Sequence, residues 1–326
     1  MTSAAGSTLL SIVVIGRDEG EHLTRCLESV QKIDFPFGEK EIIYVDSGSK
    51  DDSLQRAAAF PVQILPLKNA HPSAASARNI GWRTSRGAFI LFVDGDTILD
   101  PEFGKIALSK FAIPIIAVVN GNVTELFPRR SVYHRVLDVD WNPQPGFVDS
   151  CGGIAIMRRA VLEEVGGFDE TLFAGEEPEL CWRIRNRGYK ILHMDIPMVL
   201  HDLDMYAFSQ YWKRCQRTGY AYAQIEARYR KEEDPLWKKE ARYNLLKGGG
   251  LLLIGFLSIC LSFYEHSFIP LLTLPILLSM LAFRTAWRVR KSTDGWATAF
   301  LYGFHAHFQH IPMFVGQLLR RFRAAS

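Results

Sequence analysis

The sequence lacks the glycine-rich signatures of the common nucleotide folds: neither GxGxxG nor GxxxxGK[ST] occurs in its 326 residues. Dehydrogenase, kinase and P-loop ATPase readings lose their phosphate cradle with them. Cysteine is scarce, with five residues (Cys26, Cys151, Cys181, Cys215, Cys260), an odd number without a CxxC pair. That argues against a disulfide framework or a structural zinc site and makes a reducing compartment the simpler setting. Net charge is also small, formally +3, so nothing calls for a nucleic-acid partner. No signal peptide is read at the start, because the short apolar run at residues 9–15 follows no basic cluster and runs directly into Arg17, Asp18 and Glu19. No internal repeat or low-complexity segment stands out.

What is present is ordinary on average, 48% hydrophobic and 22% charged, which excludes wholesale disorder. The average hides an asymmetry. Residues 1–247 carry nearly all the acids, 248–283 are almost continuously apolar, and the tail is basic. In the first half, strand patterns at residues 9–15, 41–45, 62–65 and 88–93 alternate with helical or turn-rich stretches, which predicts an α/β domain with a largely parallel sheet. Between the first two, Leu23, Cys26, Leu27 and Val30 recur at helical spacing and supply one apolar face. Ligands of such sheets settle beyond the carboxyl ends of the strands, so the polar residues after each strand are candidates: Arg17 to Glu19, Asp46 to Asp52, and Asp94 to Asp96.

Asp94, Gly95 and Asp96 follow an apolar strand, and hard oxygen ligands there suit magnesium or manganese, which can neutralise a diphosphate. By itself a DGD turn is more often a helix-capping turn. Its company is more specific. SIVVIGRDEGEHLTRCLESV, EIIYVDSGSKDDS, SARNIGWRTSRGAFILFVDGD, CGGIAIMRRAVLEEVGGFDE and FAGEEPELCWRIRNRGYKI follow one another in the order seen in family 2 glycosyltransferases of the GT-A fold. The chain resembles that family over most of residues 10–220. The resemblance implies a nucleotide-diphosphate sugar donor, with uridine the default base, and a Mn or Mg cofactor. It implies that Asp46 contacts the nucleobase, Asp94 the ribose and diphosphate, and Asp96 the metal, with Arg78 near the donor phosphates.

The family's acid pair is usually Glu-Asp, whereas this chain has Glu176, Glu177, Pro178 and Glu179. Glu177 is assigned as general base with Glu176 as its rival, and acids at a helix start are also favourable without any catalytic role. His201 matches a position where many members complete the metal site; a structural histidine is equally compatible. Arg214 and Arg217 could bind diphosphate or acceptor, or be solvated helix residues.

Two apolar runs, 248–263 and 268–283, are separated only by Tyr264, Glu265, His266 and Ser267, which predicts a membrane hairpin. Lys247 precedes it and Arg284, Arg288, Arg290 and Lys291 follow, so both ends and the catalytic domain are expected on the cytoplasmic side of an inner or plasma membrane. Pro270 and Pro275 suggest a kink or re-entrant path, and residues 296–319 an interfacial helix. The expected organisation is a GT-A-type domain with a mostly parallel mixed sheet at 1–227, a charged linker at 228–247, the hairpin at 248–283, and a basic, aromatic tail at 284–326. The expected function is inverting, metal-assisted sugar transfer to a lipid-linked or polysaccharide acceptor, with other polysaccharide assembly proteins as candidate partners. Transfer to polyprenyl phosphate and a non-catalytic nucleotide-sugar-binding scaffold are the alternatives.

Overall fold

Alternation along the first strand dictates a two-sided sheet. In β1 (Thr8–Gly16), Leu10, Ile12 and Val14 enter one buried cluster and Val13 and Ile15 another, so both faces need a cover. The helix Glu21–Gln31 covers the first face with Leu23, Cys26, Leu27 and Val30, all fully buried. The helix Ala74–Thr84 covers the second, where Gly81 lies so close to Val13 that any side chain at that position would collide with it. The computed structural model from which these positions are taken describes residues 8–36, 38–67 and 72–325; residues 1–7 of the expected first domain lie outside it.

Eight further strands follow: β2 (Gly38–Asp46), β3 (Gln63–Pro66), β4 (Phe89–Asp94), β5 (Thr97–Leu99), β6 (Ile116–Glu125), β7 (Gly146–Val148), β8 (Ala155–Arg158) and β9 (Lys190–His201). They form one mixed sheet in the order β3-β2-β1-β4-β8-β6-β9-β5, with β7 paired to β9. The first four strands of that order run parallel, and the register sets Gly16 beside Asp46 and Ile15 beside Asp94. The loops after β1, β2 and β4 therefore leave the same edge. Beyond β4 the sheet turns mixed, since β8 is antiparallel to both β4 and β6, and β6 and β9 are parallel.

By its contacts the chain divides into two units. The first takes in the described residues up to Leu126, Trp141–Thr171 and Glu176–Leu203, and holds the whole sheet. The second collects Phe127–Asp140, Leu172–Gly175 and the chain from Asp204 onward, and is helical. Its helix Phe208–Tyr229 precedes the composition change at 228 yet packs within this unit. Gly219 meets the backbone of Met313 and Gly316 that of Gln216, so two helices approach as closely as missing side chains allow. Residues 238–247, expected within a linker, form the first turns of a continuous helix, Lys238–Tyr264.

That 27-residue helix and the 21-residue stretch Ile269–Val289 are long and apolar enough to cross a membrane. Leu253, Phe256, Leu257, Phe263, Ile269, Ile276 and Met280 are exposed along them, unlike the buried flanks of a soluble core helix. Pro270 falls in a 3-10 turn and Pro275 in the first turn of Thr273–Val289, where a missing N–H breaks no helical bond, so the second stretch is not kinked at mid-length. The tail from 296 forms two helices, Trp296–Phe308 and His310–Ala325, with Pro312 in the first turn of the latter.

Candidate active site

The DGD turn is sewn to the end of β1. Gly95 N donates to the Ile15 carbonyl at 2.8 Å, and Thr97 Oγ1 to the Asp94 carbonyl at 2.7 Å. Short β5 then turns back to pair with β9, placing Thr97 opposite His201. The result is a close pair: His201 Nε2 lies 3.2 Å from Asp96 Oδ2. Burial favours the neutral ring of His201, but the hydrogen bond and charge of Asp96, with Asp94 and Glu125 adding to them, raise its pKa overall. Trp141 stands edge-on to the imidazole at 5.0 Å.

Asp96 Oδ1 and His201 Nδ1 are buried without a hydrogen-bond partner among the described residues. Buried polar atoms are seldom left so. A divalent cation fits this carboxylate and imidazole, which together offer hard and borderline donors at a strand end. Glu19 lies behind them, close to Gly95, and its pKa is pushed up to about 7 by burial and then by Asp96, despite the Arg17 backbone N–H.

Arg78 forms the second half of the cluster. The residue is 2% exposed, and its guanidinium reaches Asp94 Oδ1 at 2.8 Å, Glu176 Oε1 at 3.1 Å and Glu177 Oε1 at 3.5 Å. The helix Glu176–Asn186 delivers both glutamates in its first turn. Glu176 is the deeper, with a side chain 11% exposed against 20% for Glu177. Burial, then the neighbouring charge of Glu176, raises the Glu177 pKa to about 7 against the opposing pull of Arg78. Gly153 sits over the group: a methyl there would meet Arg78 Nη2, Asp94 Oδ2 and Glu177 Oε1 within 2.5–3.2 Å. Arg78→Met would leave three carboxylates around an apolar chain, and removing one member of a buried ion pair costs about 3–5 kcal/mol. A large fall in the thermal midpoint of the detergent-solubilised protein is expected, with a smaller fall for Arg78→Lys; unchanged midpoints would show that the cluster carries no such weight.

The other expected residues are placed differently. Asp46 is 1% exposed, and its oxygens already accept from the Tyr44 hydroxyl and the backbone N–H groups of Gly48 and Ser49, each at 3.0 Å. These donors shape the loop after β2 and leave about one of the carboxylate's four acceptor positions, on Oδ1, for a further donor. Arg17 is exposed and paired with Asp18 at 3.6 Å. Arg214 lies on the Phe208–Tyr229 helix of the second unit, where Arg217 stacks on the Phe173 ring at 5.5 Å. Sequence reasoning missed Gly153, whose only signal is the Gly-Gly step after Cys151, and Glu125, which the β6–β9 register sets beside His201. No motif marks Glu125 in advance.

Residues 11–166, which include most of β1, all of β2, the DGD turn and Arg78, match the family model for glycosyl transferase family 2. These residues form a family 2 glycosyl transferase domain. The pre-mycofactocin glycosyltransferase of Mycobacterium tuberculosis is 26% identical over 209 residues, 59% of this chain and 42% of that protein. Glycosyltransferase AglE of Haloferax volcanii is 26% identical over 192 residues, 56% of this chain and 63% of that one. The chain thus spans 42 and 63% of the length of these two curated relatives. In fold, the transferase domain and the rest of the chain resemble the mannosyltransferase PcManGT of Pyrobaculum calidifontis, solved with GDP-Man and Mn2+. The TM-score is 0.63 at 15% identity, over 96% of this chain and 88% of that one. Residues 1–349 of S. aureus TarS, solved with UDP-GlcNAc, give 0.53 at 18% identity, over 96 and 91% of the two chains.

Proposed function

We propose that the chain transfers a sugar from a nucleoside-diphosphate donor to an acceptor hydroxyl at a membrane, inverting the anomeric centre. The observation that carries this reading is the joining of two acid sets through one edge of the sheet. Asp96 and His201 stand on one side, Glu176 and Glu177 on the other, and Asp94 links them through Arg78. The donor's diphosphate belongs with the first set and the acceptor hydroxyl with the second.

In this reading Glu177 takes the acceptor's proton, and a pKa near the working pH suits a general base. Glu176, held more tightly by Arg78, positions Glu177 and keeps its pKa high. Asp94 Oδ1 accepts from Arg78 Nη2, which leaves the other oxygen for the donor's ribose and phosphates. Asp46 keeps the loop after β2 in shape for the nucleoside, with Arg17 and Glu19 at its border and Arg214 a candidate for the acceptor side. Asp96 and His201 would hold the cation, which when bound neutralises charge on a diphosphate. A manganese-supported donor and a nucleotide-sugar substrate also agree with the ligands of the two structural neighbours. The acceptor is read as lipid-linked or as a polymer assembled at the membrane, because two helices are long and apolar enough to cross one.

The test is release of nucleoside diphosphate from UDP- and GDP-sugars by the full chain in vesicles, with a membrane lipid extract as acceptor source and with or without manganese. Release that needs both metal and acceptor supports the proposal; release from no donor by the folded protein sinks it. For orientation, the basic ends of the hairpin favour the cytoplasmic side. In a Cys260→Ser background, His266→Cys in the connecting turn is expected to react with an impermeant maleimide from outside intact cells, while Asp294→Cys reacts only after lysis. The reverse pattern would place the transferase domain outside.

A further inference from the structure

The second unit contains a cavity of about 410 Å3, within the range of pockets that take small ligands, and no step of the proposed transfer uses it. The helix Val132–Asp138 lines it with Val132, Tyr133, Val136 and Leu137, and two others close it with Phe208, Tyr211, Leu301, Phe304, His305 and Phe308. Its floor is fully enclosed, since Val136, Leu137, Tyr211 and His305 are 4–7% exposed. Its mouth is open, with Val132 43%, Phe208 52% and Phe304 37% exposed.

The polar atoms on the floor are already partnered. Tyr211 Oη lies 2.8 Å from His305 Nδ1, and His305 Nε2 lies 3.3 Å from Asp140 Oδ2. A water needs two to four polar partners, which these paired groups do not supply, so the cavity suits an apolar occupant. Its position says which one. The helix Trp296–Phe308 turns Leu301, Phe304 and Phe308 to the cavity, and its Gly303 packs against the backbone of Ala282 in the apolar helix Thr273–Val289. At the start of the same helix, Trp296 meets Phe283 at 6.0 Å and Trp287 at 5.7 Å, while Arg290 lies over Trp287 at 4.3 Å. Such a cluster of tryptophan and arginine marks the headgroup level of a bilayer. From that level the helix runs back along the apolar helix, so that its Phe308 end packs against Leu251 and Leu278 and the cavity lies beside the apolar stretch.

We infer that this cavity binds a hydrocarbon chain of a bilayer phospholipid, docking the second unit onto the membrane surface beside its hairpin. The inference does not depend on the transferase reading. It is tested with the full chain in vesicles of phosphatidylethanolamine and phosphatidylglycerol, doped with phosphatidylglycerol that carries a diazirine near the end of one acyl chain. After photolysis, peptides covering 131–138 and 301–308 should be labelled together with those from the apolar stretches 251–263 and 273–283. Val132→Trp fills the mouth from an exposed position and Val136→Phe fills the floor. Each should abolish label in the first two peptides and leave the hairpin label as in the wild type, which also shows that the variant is folded and inserted. Label confined to the hairpin, or pocket label unchanged in both variants, would overturn the inference.

Discussion

Glu177→Gln should lower kcat by about 10^2–10^4-fold, the usual contribution of a positioned general base, and leave the KM for the donor nearly unchanged. The amide keeps the shape and loses the basic oxygen. Glu176→Gln should act differently, because Glu176 is the deeper residue and the closer to Arg78, at 3.1 Å against 3.5 Å for Glu177. Removing its charge takes away a repulsion that raises the Glu177 pKa, so the rate profile moves to lower pH and the loss in kcat is smaller. In the wild type the base works only when deprotonated. Activity should therefore climb as pH rises through about 7, the value to which burial and Glu176 push Glu177, and level off above it. A flat profile from pH 6 to 8, or full activity in Glu177→Gln, would mean an acceptor that needs no base, as a polyprenyl phosphate would not.

Asp96→Ala is the second large effect. It removes the carboxylate whose Oδ1 is buried without a partner among the described residues, and it leaves His201 with no partner at its Nε2 side. If these residues hold the cation, turnover should drop by about 10^2–10^3-fold, as when one charge-stabilising contact to a leaving group is lost, and added manganese should no longer change it. His201→Ala should lose less, since the carboxylate remains. The folded state should survive, because Asp96 is part of the open strand end and not of the apolar layers. Equal manganese dependence in wild type and Asp96→Ala would remove the metal role from this turn.

Much of the first unit was legible because its signals are local. The strand patterns at 9–15, 41–45, 62–65 and 88–93 correspond to β1 to β4 within a few residues, and the periodic Leu23, Cys26, Leu27 and Val30 form the face that packs on the sheet. What lies beyond residue 94 was harder. β5 has three residues and is defined only by its pairing with β9, so no periodicity announces it. The ion-pair fan of Arg78 joins residues 98 and 99 positions apart, and a surface arginine on an amphipathic helix has the same local sequence as a buried one. For Asp46 a turn-forming acid and a nucleobase contact look alike in sequence, and the three donors on its oxygens show its part in the turn. In the second unit, the break near Gln309 was hidden because apolar and aromatic residues continue on both sides of it, and only Pro312 hints at a new helix start.

The most direct test of the account is a thermal-shift titration of the detergent-solubilised full chain with UDP, GDP and dTDP, each with and without manganese, beside Asp96→Ala. A ligand present at 100 times its dissociation constant adds about 2.7 kcal/mol to the folded state, enough to move the midpoint measurably. The account predicts a rise with one nucleotide, present only with manganese and absent in the variant. No rise with any nucleotide in folded wild-type protein, or a rise equal in Asp96→Ala, would contradict it.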